Sequence, residues 1–464
     1  MLFLFLTSCN NNSPKESKTT SGDSSESFTD SSLTPTPPEI TTQTSAPSDP
    51  VSPEVEQELE KAKNALLNSD LTNAKNILNN LCQKHPELPP SGIILTQFFA
   101  QTKNSNIIKT ILDTTANENP NDPEAYIILA EIALQQKELT AAELLLKEAE
   151  SKLIHYSINQ SRKKNLTSYL LRIQSSLAEI RGRWKSYESL ADKRINHDGL
   201  SNNLLRQKGI ALFQQNKDSE AEKLFLNADN LNKNKPQQNN NEQPLPAEAL
   251  MSQLYAKRGN IEKSKQFLNA ALGKYPNSKD VILLSIQSRL NENKPEEAQP
   301  LAAKLLKDFP DFKPAKKILA TIALYLNDYN SAEKLFQELI IDTPSDSQAI
   351  NGLALALCEQ NDTKKLQRAL DYAKNNVNKD QQNPESWSVL GWILFKANQI
   401  ENAKQALQRS IVSGQISPAT AFYLANIEKL AGNTENAKQL LTKALQANSP
   451  FAKRKDAEKL LKEL

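Results

Sequence analysis

From Pro384 to Ile411 the apolar side chains fall in two stripes. Trp387, Leu390, Gly391 and Leu394 stand at i, i+3, i+4 and i+7, the spacing of one face of an α-helix. After a turn at Ala397-Asn398-Gln399, Ile400, Ala403, Leu407 and Ser410 follow a similar spacing on a second helix. Two short amphipathic helices joined by a tight turn cannot bury both stripes by themselves, so they need neighbours of the same kind. Thirty-four residues further on, Leu424, Ala425, Ala437, Leu441 and Ala444 take the places of Leu390, Gly391, Ala403, Leu407 and Ser410.

The same pattern can be followed back along the chain by the residue early in each second helix. These markers are Ala74, Ile108, Ala142, Tyr187, Ala221, Ser264, Ala298, Ala332, Ala369, Ala403 and Ala437. Seven of the ten gaps between them are 34 residues; the others are 45, 43 and 37 and hold insertions. Ile108 and Tyr187 are larger than the pattern asks for. Pro86, Pro120, Pro276, Pro310 and Pro344 each stand 12 residues after a marker, where proline ends a second helix. The third repeat predicts Asp122 as N-cap and Pro123 at the first helical position, then Tyr126, Leu129, Ala130 and Ala133.

Paired helices at a 34-residue period, with Trp387, Leu390-Gly391, Ala403 and Leu407 in place, resemble the tetratricopeptide repeat (TPR). Small residues at Gly391 and Ala403 let two helix backbones approach closely. Leu394 stands where the family often has Tyr, and Ser410 where it has Ala. The resemblance implies an all-α fold: a right-handed superhelical solenoid of about 11 helix-turn-helix repeats. The first helix of each repeat would line a concave groove. Groove positions in the later repeats include Lys317, Thr321, Leu324, Asn351, Leu355, Ser388, Trp392, Phe395, Phe422 and Asn426. Trp392 and Phe395 form a second aromatic face beside the core stripe of their helix. They either pack against the next repeat or receive an extended or helical peptide. The family's carboxylate clamp is not matched, because Thr321 and Leu355 occupy the places of its paired asparagines, although Lys317 is suitably placed.

Outside the repeats the composition changes. Residues 1–9 end in Leu6-Thr7-Ser8-Cys9, which looks like a bacterial lipobox whose Cys9 would carry lipid. The apolar run is shorter than a full signal sequence and no Lys or Arg precedes it. Either the start codon lies upstream, or this is a chance apolar N-terminus on a cytoplasmic protein. Residues 10–53 are rich in Ser, Thr and Pro and have too few large apolar groups to offset the entropy of folding, so they read as a disordered tether. As a flexible coil its ends would average about 35–40 Å apart. Asn10 after the cysteine, rather than Asp, leans toward the outer membrane on its periplasmic side if the cell is diderm. The TPR array is expected over 54–450. A polar, low-complexity insertion spans 232–246, and between Ala142 and Tyr187 the helices are expected to lengthen through residues 152–181. A capping helix over 451–464 would cover the last repeat's apolar face.

Charge and chemistry narrow the function classes. With 56 basic and 54 acidic residues, bulk charge does not drive nucleic-acid binding. Eleven glycines in 464 residues disfavour phosphate-cradling loops. His85, His155 and His197 lie in different repeats without metal-ligand spacing, and His85 reads as a helix-end residue. Cys82 and Cys358 are about eight repeats apart, too far to bond along a stiff solenoid. No catalytic motif, cofactor site or metal site is expected. Three functions remain open: a lipid-anchored envelope scaffold serving an envelope, secretion, pilus or polysaccharide-export assembly; a cytoplasmic TPR adaptor; and an enzyme or carrier with a site hidden in the array.

Overall fold

The computed structural model describes residues 52–99, 105–233, 245–412, 414–447 and 450–464. The segments read above as lipobox, tether and polar insertion lie outside these residues, apart from the edges of the last two. Among the described residues every regular element is a helix. The described residues divide into two compact units, those up to 233 in one and those from 245 in the other.

The first unit holds five helical hairpins. They are α1 (Pro53–Leu67) with α2 (Leu71–Lys84), α3 (Ser91–Phe99) with α4 (Ser105–Glu118), and α5 (Glu124–Gln135) with α6 (Leu139–His155). Then come α7 (Gln160–Ile180) with α8 (Trp184–Asp198), and α9 (Asn202–Gln214) with α10 (Asp218–Lys233). The second unit holds six hairpins: α11 (Ala247–Lys257) with α12 (Ile261–Lys274), α13 (Lys279–Asn291) with α14 (Pro295–Asp308), and α15 (Lys313–Tyr325) with α16 (Tyr329–Asp342). It continues with α17 (Ser347–Cys358) and α18 (Thr363–Lys379), α19 (Pro384–Lys396) and α20 (Ile400–Arg409), and α21 (Pro418–Leu430) and α22 (Thr434–Gln446). A lone helix, α23 (Arg454–Glu463), packs on α22.

Local chemistry starts and stops these helices. Asp70, Asn260, Asp328, Asp346, Asn383 and Ser417 each accept a hydrogen bond from a backbone N–H of the first turn that follows. Pro53, Pro295, Pro384 and Pro418 open their helices, where a missing N–H costs nothing. Pro86, Pro120, Pro276, Pro310 and Pro344 each follow the last helical residue by two positions. Ten turns within hairpins carry one residue in the left-handed region: Ser69, Lys137, Gly182, Asn216, Gly259, Asn293, Asn327, Asn361, Asn398 and Gly432. That residue lets the last carbonyls of the first helix be satisfied while the chain reverses.

Every marker residue is buried. Ten of the eleven are the fourth residue of their second helix; Ala369 is the seventh of α18. The three extra residues of the 37-residue gap therefore lie between Asn361 and Ala369 and lengthen the start of α18. Two differences from the sequence reading are local. Helix α5 begins at Glu124, one residue after Pro123, with Asp122 Oδ1 accepting from the Glu124 N–H at 3.0 Å. The long stretch over 152–181 is broken at 156–159, giving α6 of 17 residues and α7 of 21. In the second unit one continuous core runs from Ala320 to Leu460.

Candidate interaction face

First helices of successive repeats touch in the second unit: α15 with α17, α17 with α19, and α19 with α21. The residues read as groove-lining project from this layer, and the contacts decide which of them remain reachable. Leu324 is buried in the core. Asn351 is buried too, accepting from Asn376 Nδ2 at 2.7 Å and donating to Ser386 Oγ at 3.3 Å. Lys317 pairs with Asp346 at 2.7 Å, and Thr321 donates to the Lys317 carbonyl at 2.9 Å. Ser388 shares a 2.8 Å hydrogen bond with Thr420. Leu355 and Phe395 are half-buried against the core, and Asn426 donates to the Phe422 carbonyl at 2.8 Å. The spacing placed these residues off the core stripe. Thr321, Leu324, Asn351, Ser388, Trp392 and Phe422 are nevertheless buried, because neighbouring helices close over them.

Trp392, Phe395 and Phe422 do come together, and Tyr423 and Phe451 join them. Trp392 is 5% exposed and stacks on Tyr423 at 4.6 Å and on Phe395 at 5.3 Å. It meets Phe422 tilted at 5.6 Å, and Phe422 meets Phe451 at 6.4 Å. The second aromatic face of α19 thus packs against α21 of the next repeat. The indole N–H donates to Glu359 Oε1 at 2.7 Å, which is how a buried tryptophan satisfies its one polar group. Lys396 and Lys453 approach Glu359 Oε2 at 3.5 and 3.0 Å, and Lys453 also donates to Tyr329 Oη at 2.9 Å. Burial alone would lower the Lys453 pKa; the Glu359 carboxylate and Tyr329 outweigh it and hold the ammonium above its ordinary range. Burial pushes the Tyr423 phenol and the Cys358 thiol well up, so both stay protonated.

The first unit carries a polar counterpart that sequence reasoning missed. Arg162 on α7 is buried between Asp122 and Glu124, donating to the carboxylates at 2.6–3.2 Å and to Tyr156 Oη at 2.7 Å. One turn-pair along, Tyr169 donates to Glu131, and Arg172 approaches Glu131 at 3.3 Å. Burial would lower the Arg162 pKa, but Glu124 and Asp122 reverse this and raise it. The signal was present: Glu124 and Glu131, and Arg162 and Tyr169, are both seven residues apart, so each pair shares one helix face.

Ser168 and Asp198 both face His197 Nδ1, the serine at 3.3 Å and the aspartate at 2.8 Å. A nucleophile relay needs them on opposite ring nitrogens. His85 caps the end of α2 and meets Glu87 at 3.0 Å. Among the described residues no group of three or more potential metal ligands comes together, and no helix is long and apolar enough to cross a membrane.

The fold is an all-α repeat solenoid of helical hairpins. Tetratricopeptide-repeat family models match residues 109–153 and 318–384, residues 250–278, and residues 384–411. These stretches are tetratricopeptide repeats, and tetratricopeptide-repeat proteins are in general protein-interaction scaffolds. No curated protein matches it. Similar solved structures include a tetratricopeptide repeat protein from Parabacteroides merdae, 13% identical, covering 56% of this chain and 97% of that one at a TM-score of 0.44. The pilF protein of Pseudomonas aeruginosa is 18% identical over 47% of this chain and 94% of that one, at a TM-score of 0.32. Yeast Tom70 is 14% identical over 88% of this chain and 95% of that one, at a TM-score of 0.34.

Proposed function

We propose that this protein is a non-catalytic scaffold tethered to the bacterial cell envelope by lipid on Cys9, binding a partner protein through the first-helix face of its repeats. The observation that carries the tethering is the order of segments: Leu6-Thr7-Ser8-Cys9, then a Ser/Thr/Pro-rich run, then the hairpin array. Lipid chains on one cysteine would hold the array at a membrane without a spanning helix, and the run between would lift it clear. The scattered histidines and the one-sided His197 contacts support a role without catalysis. The service of an envelope, secretion, pilus or polysaccharide-export assembly, on the periplasmic side of an outer membrane, belongs to the same reading.

Metabolic labelling with a palmitate analogue tests the tether, using the gene with its upstream codons. Label in the wild type and none in Cys9→Ser supports the lipoprotein. No label in either form overturns it and makes a cytoplasmic adaptor the better reading, since the hairpin array serves both.

A further inference from the structure

The chain's own C-terminal stretch lies across hairpin ends of the second unit, touching residues of both first and second helices. Phe451 is 8% exposed, set against Phe422 beside the Trp392 stack. Two residues on, Lys453 is buried with its ammonium on Glu359 and Tyr329, over whose ring it also sits at 5.3 Å. Two residues further, Lys455 pairs with Glu296 at 2.6 Å. These partners belong to three earlier hairpins: Glu296 to α14, Tyr329 to α16, and Glu359 to the end of α17. A helix that only capped the last repeat would need contact with α21 and α22 alone.

Contacts other than those of the occupant also hold the receiving site. Glu359 is held by the Trp392 indole N–H and approached by Lys396, and Trp392 is clamped between Tyr423 and Phe395. An acidic anchor thus stands beside an aromatic platform, each held partly by groups other than the occupant, and such holding lowers the cost of binding. The occupying groups are ones another segment can offer: an aromatic ring and an ammonium two residues later.

We infer that Phe451, Lys453 and Lys455 act as an internal ligand, and that the face takes partner segments of the same chemistry, basic peptides with an aromatic residue two positions before a lysine. This rests on the first-helix face being the binding face, and it specifies the partner. An internal segment competes at an effective concentration of about millimolar, so the intact chain would hold weak ligands off and admit those that match or exceed its own contacts.

The test uses the full chain and a fluorescein-labelled peptide of sequence Ser-Pro-Phe-Ala-Lys-Arg-Lys, read by fluorescence anisotropy. Phe451→Ala/Lys453→Ala should bind it saturably, at least about ten-fold more tightly than the wild type. Replacing the peptide's Phe by Ala, or its first Lys by Glu, should abolish binding. Adding Glu359→Lys to the double variant should lose the original peptide and gain the Glu-containing one. Lys453→Gln, which keeps Phe451, should show the same effect at about three-fold. Equal binding by wild type and variants overturns the inference. So does absence of saturable binding to a variant with wild-type helical signal, or indifference to the peptide's Phe and Lys. Loss of fold in the double variant together with wild-type affinity in Lys453→Gln overturns it too, making the segment a permanent cap. Failure here leaves Cys9 labelling untouched, and loss of Cys9 labelling leaves the peptide result untouched.

Discussion

Two places in this array depart from a plain stack of apolar hairpins, and they do so with opposite chemistry. Between α5 and α7 the first helices are joined by buried ions: Arg162 with Asp122 and Glu124, and Tyr169 and Arg172 with Glu131. Between α17 and α21 they are joined by stacked rings around Trp392, with one carboxylate, Glu359, at the edge. The ionic joint pairs side chains of two neighbouring repeats with one another. The aromatic joint reaches the surface layer, where the chain covers it with Phe451 and Lys453. The two joints thus differ in the source of their partners, neighbouring repeats for one and the C-terminal stretch for the other.

The largest expected effect is on the ionic joint. Arg162→Ala would leave two carboxylates buried without their cation and cost about 3–5 kcal/mol. Urea unfolding of the full chain should show an early transition confined to part of the array, with signals of Trp387 and Trp392 unchanged. A shift below 1 kcal/mol would mean the carboxylates find water. On the aromatic joint, Trp392→Ala removes a ring packed on three others and should cost about 3–5 kcal/mol. An unchanged melting temperature would instead place Trp392 outside the core. Gly391→Val sharpens the same region: a Cβ there would lie 2.5 Å from Leu407 Cγ and 3.2 Å from the Ala403 carbonyl. The added bulk should cost about 1–3 kcal/mol, measured by thermal melting.

Hairpin register, helix ends and the all-α class were legible in the sequence because they depend on local periodicity and on small residues such as Gly391 and Ala403. The face was only half legible. Trp392 and Phe395 were found because Trp387, Leu390 and Leu394 already fill the core stripe of their helix, and Phe422 because it holds a groove position in the next repeat. Leu324 and Asn351 were read as reachable because a 34-residue pattern describes one hairpin, whereas their burial depends on how the next first helix is placed. The docking of Lys453 on Tyr329, 124 residues away, leaves no periodic trace. The Arg162 cluster was missed for the opposite reason: a charge run ordinarily reads as a solvated face, and only the shared spacing of seven marks it as a joint.

Smaller effects separate the two regions further. Burial pushes the Cys82 thiol in the first unit up to about 11, and the Cys358 thiol higher still. At pH 8 the thiolate of Cys82 should therefore be about 100-fold scarcer than that of an ordinary cysteine. Iodoacetamide labelling of the folded chain should be slow at both sites, rise with pH, and become fast in urea. Rapid labelling at pH 8 would show that its helix opens locally. The smallest expected effect is a gain: Lys137 holds φ at 62° in its turn, so Lys137→Gly should stabilise the first unit by about 1 kcal/mol. The equivalent Gly432 already has this freedom, and Gly432→Lys should lose a similar amount.

The measurement closest to the central claim, that the first-helix face of the second unit is where partners bind, is in-cell photo-crosslinking of the full gene in the Lys453→Gln background. Benzoylphenylalanine would replace Leu355, half-buried on the first-helix layer, or Lys404, exposed on a second helix. The account predicts adducts of higher mass from position 355 and none from 404. Adducts from 404 alone, or equally from both positions, would contradict it.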